Sequence, residues 1–582
     1  MFKKLMKYIN GYKKPAILAP TLVAIETICE LLMPLIMANI IDIGIEGDGG
    51  FPYILKSGIM ILILSLFSMG GGVFAAKYAT AASQGFGANL RKSMFDKVQD
   101  FSFADIDRFS SASLITRMTN DVTQIQNLVN MGLRMVVRMI FMLIASLIIC
   151  FSIHAKLSLI LVIAMPIMGI AIGSLMSVCH KLFKKFQEKI DGLNDSVQEN
   201  LIAIRVVKAF VREKYEKSKF QKRNNELTGA ALDAVMRVIW MGPIMMISCN
   251  ICIILALWFG GKFVIGESML YGDLYSFISY IGNVLFSVMM FAMTLLNLTR
   301  AKACAERILE VLETTPDIRN ADNCDTFALP ERRGSIEFRD VSFRYVATGT
   351  GDDVLSHINL KIEPGEFVAV IGGTGTGKSS LVNLIPRFYD VTGGAVLVDG
   401  ADVRDYPIES LRDRIGMVLQ NNVLFSGTIR ENLLWGNPDA TEEEIITAAK
   451  NAQAYDFIMS FPDGFDTYID QGGVNVSGGQ KQRLCIARAM LRKPEILILD
   501  DSTSAVDSAT EAKIRESFSE NLKDTTVIII AQRISSVRYA DKIVILDDDH
   551  IAGIGTHDEL LASNEIYQEI YQSQQEGVVN NG

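Results

Sequence analysis

Six long apolar stretches precede residue 300, at about Ala16–Ile43, Ile54–Tyr78, Val136–Ile153, Leu157–Val178, Val238–Ile265 and Leu274–Leu298. Each is near the roughly 20 residues that an α-helix needs to cross a hydrocarbon layer about 30 Å thick. The pattern predicts six membrane-spanning helices. Apolar runs around Leu355 and Ile496 are too short for that and read as buried strands. Two polar connections, about residues 79–135 and 179–237, are far too long for turns. They show helical periodicity with almost no Pro or Gly, as in Lys181–Gln187 and Asp195–Arg212. Ordinary helical hairpins satisfy that pattern, and so do spans that continue past the bilayer and carry force to another domain.

Cations set the orientation. Lys3, Lys4, Lys7, Lys13 and Lys14 precede the first stretch, which is too long for a signal-peptide core and is therefore expected to stay in the protein. With Arg91, Lys92, Lys97, Lys181, Lys184, Lys185, Lys189 and Lys208 they mark one side of the membrane, whereas the loops Gly44–Pro52, Ser152–Lys156 and Gly266–Asp273 hold few cations. Cation-rich segments stay cytosolic. A multi-pass protein of the cytoplasmic membrane is expected, with both termini in the cytosol.

After Arg300 the hydropathy falls, and Glu313–Arg333 collects Pro316, Asp317, Asp322, Asp325 and Pro330, the composition of a linker. From Gly334 strand-like and helical runs alternate: strands Ser335–Phe343 and Glu366–Ile371, helix Lys378–Arg387, strand Ile496–Leu499, helix Ser508–Glu520 and strand Thr526–Ile530. Such alternation predicts an α/β domain on a largely parallel sheet. The expected architecture is an all-α six-helix transmembrane domain over residues 1–315, a linker at 316–333, an α/β P-loop nucleotide-binding domain over 334–573 and a tail at 574–582.

Composition narrows the class further. The 582 residues carry 56 Lys and Arg against 65 Asp and Glu, a net charge of −9, with only 21% charged residues, and the mean hydropathy is +0.27. A disordered chain and a basic nucleic-acid binder both fit poorly, and no nucleic-acid partner is expected. The eight cysteines lie mostly in apolar runs; Cys249 and Cys252 form a CxxC only nominally, within a Met- and Ile-rich helix where packing is the expected role.

The chemistry is concentrated after residue 340. Gly372, Gly373, Thr374, Gly375, Thr376, Gly377, Lys378 and Ser379, followed by Ser380, match GxxxxGK with Ser or Thr, directly after an apolar strand and before a helical run. Glycines let the backbone close around phosphates and aim N–H groups at them, Lys378 adds a cation, and Ser379 offers a hydroxyl to Mg²⁺. Downstream, Ile496–Asp500 is an apolar strand ending in a carboxylate suited to the same metal. Between them stand Gln420, after Met417-Val-Leu, and Val476-Ser477-Gly478-Gly479-Gln480; Ser504-Ala-Val-Asp507 follows.

This set resembles the ATP-binding cassette (ABC) family, and six spans followed by one cassette is the layout of an exporter half-transporter, so the resemblance covers nearly the whole chain. It implies ATP and Mg²⁺ as ligands, Tyr345 stacked on adenine, and Gln420 touching Mg²⁺ and the transmembrane interface. It further implies Ser477, Gly478, Gly479 and Gln480 as a lid over the ATP of a second cassette, so that one chain is half a machine. Asp107-Arg108-Phe109 through Asp121, and Glu199 through Glu213, resemble the two coupling loops of such exporters, the second commonly docking on the partner's cassette.

Three positions depart from the family's pattern. The residue after Asp500 is usually Glu, which polarises the attacking water; here it is Asp501, shorter by one methylene, about 1.5 Å. After the strand Thr526–Ile530 the switch histidine is replaced by Gln532, which hydrogen-bonds phosphate but carries no titratable charge. Asp470-Gln471-Gly472 lacks a Glu often found before the signature. With the phosphate loop, metal aspartate and signature intact, the chain reads as one half of a heterodimer whose own site binds ATP but hydrolyses it slowly. A homodimer with two slow sites, a nucleotide-gated channel or regulator, and an importer are the alternatives.

The expected cargo is an amphipathic or hydrophobic small molecule. Glu26 and Glu30 lie four apart on one face of the first span, where carboxylates are costly unless they face a cavity or find partners. They either line the path and favour cationic or amphipathic substrates or serve as structural hydrogen-bonding groups. Met241, Met245, Met246, Phe286, Met289, Met290, Phe291 and Met293 crowd the last two spans, as suits a cavity for varied apolar ligands or simple helix packing. Pro34, Pro166 and Pro243 are placed to kink spans one, four and five.

Overall fold

The computed structural model describes residues 1–320, 327–345, 353–501 and 506–579. Asp322, Cys324, Asp325, Ser502, Ser504 and the side chain of Met293 lie outside the described residues. The chain forms two compact units: Met1–Val98 with Ala112–Thr314, and Gln99–Ser111 with Thr315–Gly582.

In the first unit, six helices among the described residues are long and apolar enough to cross a membrane: Lys13–Ile45, Gly50–Gln99, Ser111–Ile153, Ala155–Ile202, Glu213–Ile265 and Tyr271–Phe291. They cover the first five apolar stretches in full and the sixth as far as Phe291. Gly50–Gln99 has 50 residues and Ala155–Ile202 has 48. At about 1.5 Å per residue each runs about 70–75 Å, more than twice the hydrocarbon thickness. The long polar connections are therefore continuations of the spans rather than separate hairpins.

Proline acts unevenly here. The helix is unbroken through Pro34 and Pro166, but Pro243 sits in the first turn of Met241–Ile265, just after the interruption at Trp240. A first-turn proline loses nothing, because its N–H would have no intrahelical acceptor. Beside Pro34, span six braces span one: Ser276 Oγ donates to Pro34 O at 2.6 Å, and the buried Tyr280 hydroxyl donates to Leu31 O.

The second unit contains twelve strands among the described residues: β1 Ile336–Phe343, β2 Leu355–Ile362, β3 Phe367–Gly372, β4 Gly393–Val398, β5 Ala401–Asp402, β6 Ile415–Val418, β7 Gly427–Thr428, β8 Tyr468–Ile469, β9 Ile496–Asp500, β10 Thr526–Ile530, β11 Lys542–Asp547 and β12 His550–Gly555. One sheet has the order β2-β1-β4-β5 and a larger one β12-β11-β3-β10-β9-β6. In the larger sheet β11, β3, β10, β9 and β6 are parallel, with β12 antiparallel at the edge. Its central strands are continuous apolar runs because both faces are covered. Alternate residues divide between two cores: Ala369, Ile371, Leu497, Leu499, Val527 and Ile529 point into one, Val368, Val370, Ile496, Ile498, Ile528 and Ile530 into the other.

Sequence and structure agree on β10 to the residue. The helix after the phosphate loop is shorter than expected, Lys378–Leu384 rather than Lys378–Arg387. Ile385 keeps helical φ/ψ, but Pro386 has no N–H to carry the ladder further, and Arg387 then turns into the left-handed region at φ 50°.

One buried ion pair anchors the start of this unit. Arg414 and Asp399, each with a side chain 2% exposed, meet at 2.9 Å, and the same guanidinium donates to Pro330 O at 2.9 Å. Arg414→Met leaves a buried carboxylate without its cation, which costs about 3–5 kcal/mol. Thermal unfolding of the variant should shift down accordingly, and adding Asp399→Asn should recover part of the loss; an unchanged midpoint in Arg414→Met refutes the anchoring role.

Candidate nucleotide site

The C-terminal ends of four neighbouring parallel strands carry the expected site residues. The phosphate loop follows β3, Gln420 follows β6, Asp500 and Asp501 end β9, and Gln532 follows β10. Ligands bind parallel α/β sheets at this edge because the loops there converge without helices in the way.

In the phosphate loop, Gly375 and Gly377 have φ of 90° and 81°. A Cβ at Gly377 would stand 2.8 Å from Val354 O, while one at Gly375 would meet nothing within 4 Å. The first glycine lets the loop close on its own protein and the second keeps the concave side open. Lys378 Nζ lies 3.1 Å from Gly372 O, 3.4 Å from Thr376 Oγ1 and in contact with Gly373 O. Burial holds this amine below its ordinary pKa, opposed by Asp500 and Asp501. An anion in the cradle would restore what burial takes away.

Ser379 Oγ donates to Asp500 Oδ1 at 3.0 Å. Burial raises the Asp500 carboxyl, and the serine bond pulls it back. Two hard oxygen donors side by side, below a loop built for phosphate, fit a Mg²⁺ that takes one or two protein oxygens and completes its shell from phosphate and water.

Asp501 and Gln532 are brought together: Gln532 Nε2 donates to Asp501 Oδ2 at 3.0 Å, and the Gln420 side chain hydrogen-bonds the same carboxylate. Burial is the largest influence on Asp501 and raises it. Its backbone lies in the left-handed region at φ 46°, where Asp is tolerated better than longer side chains.

Tyr345 reaches the other side of the loop. Its hydroxyl is 2.9 Å from Ser380 Oγ, and its ring packs edge-on against Phe343 and Tyr389, with centroids 4.8 Å and 5.1 Å away. The signature residues are apart from this cluster. Ser477 caps the helix Gly478–Leu491, accepting from Gln480 N while Gln480 Oε1 accepts from Ser477 N. Among the described residues no hydrogen bond joins Ser477–Gln480 to the phosphate loop, and Ser477 is exposed.

Two functional contacts were not among the expected ones. The short helix Phe103–Phe109, capped by Ser102 with Asp105, belongs to the second unit. Phe103 packs on Phe388 at 4.5 Å between ring centroids, and the Tyr389 hydroxyl donates to Asp107 Oδ2 at 3.0 Å. Tyr389 thus touches both this helix and Tyr345. The aromatic pair after Pro386 was the available signal. In the first unit, Arg138 bridges Glu26 and Glu30; it is the only charge in the stretch Val136–Ile153 and so was visible in the sequence.

Two family models match the chain: the ABC transporter transmembrane region over residues 16–289, and the ABC transporter domain over residues 355–504. The chain belongs to the ABC transporter family. It is 39% identical over 572 residues to the ABC transporter ATP-binding protein YfiB of Bacillus subtilis, covering 98% of both chains. A putative multidrug export ATP-binding/permease protein, YgaD of the same species, is 33% identical, with 98% of this chain and 99% of YgaD covered. An ATP-dependent lipid A-core flippase of Desulfotalea psychrophila is also 33% identical, covering 99% of each. Among solved structures, a bacterial Atm1-family ABC exporter with ATP bound superposes with a TM-score of 0.80 at 24% identity, covering 97% of this chain and 98% of that one. The fold is that of this exporter type, and the transporter is an ATPase that couples ATP to transport across a membrane.

Proposed function

We propose that this transporter exports amphipathic or hydrophobic small molecules across the cytoplasmic membrane as one half of a heterodimer, with both termini and the cassette in the cytosol. The site on its own phosphate loop binds ATP tightly and hydrolyses it slowly. One observation carries the second statement: the carboxylate that should polarise water is short and already engaged by Gln532 and Gln420. A general base must come within about 2.6–3.2 Å of the water it activates. An aspartate that sits one methylene back and accepts two amide hydrogen bonds reaches that water poorly, while nothing about it weakens phosphate binding.

The residues divide the work. The loop amides from Gly372 to Gly377 and Lys378 hold the phosphates, Tyr345 flanks the base, and Ser379 with Asp500 would hold Mg²⁺. When bound, that ion supplies charge neutralisation at the β- and γ-phosphate oxygens. The exposed helix N-terminus at Ser477–Gln480 offers amides to the ATP of the partner chain.

A partner is supported by the second cytosolic loop. Around the helix Ile204–Ala209 the apolar side chains of Ile202, Phe210 and Val211 are 77%, 73% and 79% exposed. Such a patch on a polar extension marks a protein contact, in line with docking on a second cassette. The relatives named for multidrug export and lipid A-core flipping support an amphipathic cargo.

The test is turnover of the purified chain in detergent, alone and with its partner. Alone it should hydrolyse ATP slowly, with Asp501→Asn changing the rate less than about threefold. Brisk turnover that Asp501→Asn abolishes would sink the slow-site reading.

A further inference from the structure

Spans one, three and six enclose a cavity of about 620 Å³, within the range of small-molecule sites. Its charges come in two pairs, each four apart on a helix: Glu26 and Glu30 from span one, Arg134 and Arg138 from span three. Arg138 serves both carboxylates, with Nη1 2.6 Å from Glu26 Oε1 and Nη2 2.8 Å from both oxygens of Glu30. The two carboxylates thus both line a cavity and find a cation in Arg138, the two roles that the sequence left open. Arg134 lines the same cavity, is exposed, and has no ion-pair partner among the described residues. Glu26 Oε2 likewise has no hydrogen-bond donor among them.

The surroundings are shaped around these groups. Span two approaches Glu26 closely through Gly72, where a Cβ would stand 3.1 Å from Glu26 Oε1 and the carboxylate would have to give by a few tenths of an ångström. Span three passes the cavity as a π-turn over Gly132–Val136, a departure from regular helix that is frequent at functional sites. Beside the charges, Met135, Met139, Met142, Phe286 and Met290 form a soft apolar wall.

We propose that this cavity binds a zwitterionic amphipath, with its anionic group on Arg134, its cationic group on Glu26 and its apolar body along the methionine wall. With two carboxylates and two guanidiniums the cavity is neutral overall yet strongly dipolar. A hydrophobic cation meets two guanidiniums there and a simple anion meets two carboxylates. A ligand bearing both charges finds an opposite for each, in surroundings where charge pairs are poorly screened. The inference names a substrate class for the export reading, but it concerns binding alone and is tested without nucleotide.

The experiment is fluorescence anisotropy of labelled lysophosphatidylcholine with the full chain in dodecyl maltoside, an uncharged detergent. The labelled lipid should bind saturably. Arg134→Gln and Glu26→Gln should each weaken it about tenfold or more, as loss of one charge-assisted contact predicts, and Arg134→Lys should restore most of the affinity. Dodecyl sulfobetaine, a zwitterionic amphipath without a phosphate, should compete, and its failure to do so overturns the proposal. Affinity unchanged in Arg134→Gln, or tetraphenylphosphonium binding more tightly than the phospholipid, overturns the proposal. A fluorescent ATP analogue, titrated in parallel, reports on the cassette, so loss of lipid binding with ATP binding intact leaves the slow-site reading standing.

Discussion

Converting Asp501 to Glu and Gln532 to His in the same chain should raise ATP turnover at its own site by about 100-fold, measured in the proposed heterodimer with the other chain's phosphate-loop lysine replaced so that only this site turns over. A positioned general base contributes roughly 10²–10⁴-fold, and both changes address it. Glutamate extends the carboxylate by one methylene, and removing the Gln532 amide frees the oxygen it binds at 3.0 Å. The single variants should gain less than the double, because the longer carboxylate alone is still held by Gln532 and Gln420, and the freed Asp501 alone is still short. The left-handed backbone at φ 46° opposes glutamate by at most about 1–2 kcal/mol, which lowers stability more than rate. A double variant no faster than the original chain refutes the assignment of slow hydrolysis to these two positions.

Tyr389→Ala should leave ATP binding within about threefold of normal and reduce transport by about tenfold or more in proteoliposomes containing the assembled transporter. The ring stands between the helix Phe103–Phe109 and Tyr345, whose hydroxyl meets Ser380 in the helix of the phosphate loop. Removing it takes away the Asp107 hydrogen bond and the aromatic contacts together. Tyr389→Phe separates them: it keeps the rings packed and loses only the bond to Asp107, a loss of about 0.5–1.5 kcal/mol. A contact chain of this kind becomes a coupling path only if energies along it are non-additive. The decisive measurement is therefore a double-mutant cycle between Tyr389 and Phe103 on substrate-stimulated ATP turnover; an additive cycle, or full transport in Tyr389→Ala, removes Tyr389 from the path.

Local order carried much of the sequence reading. The phosphate loop is recognisable because glycine spacing, lysine and the flanking strand and helix are all within a dozen residues, and each is required by the backbone geometry that binds phosphate. The absence of the usual glutamate and histidine was equally visible at Asp501 and Gln532. That Gln532 and Gln420 converge on Asp501 was not, because β6, β9 and β10 bring together residues separated by about 80 and 30 positions, and sheet order is a long-range property. The same holds for Arg138. Its isolation in an apolar span announced a partner, but the choice of Glu26 and Glu30 depends on how spans one and three pack.

Hydrophobic period and length are local quantities, so the order of residues alone was enough to place six spans, a parallel α/β unit, the phosphate loop and the two altered positions beside it. Which side chains share a site was settled by the packing of spans and strands, because partners there are far apart in the chain. That packing bound Arg138 to the span-one carboxylates, closed Gln532 on Asp501, and set Tyr389 between Asp107 and the nucleotide loop.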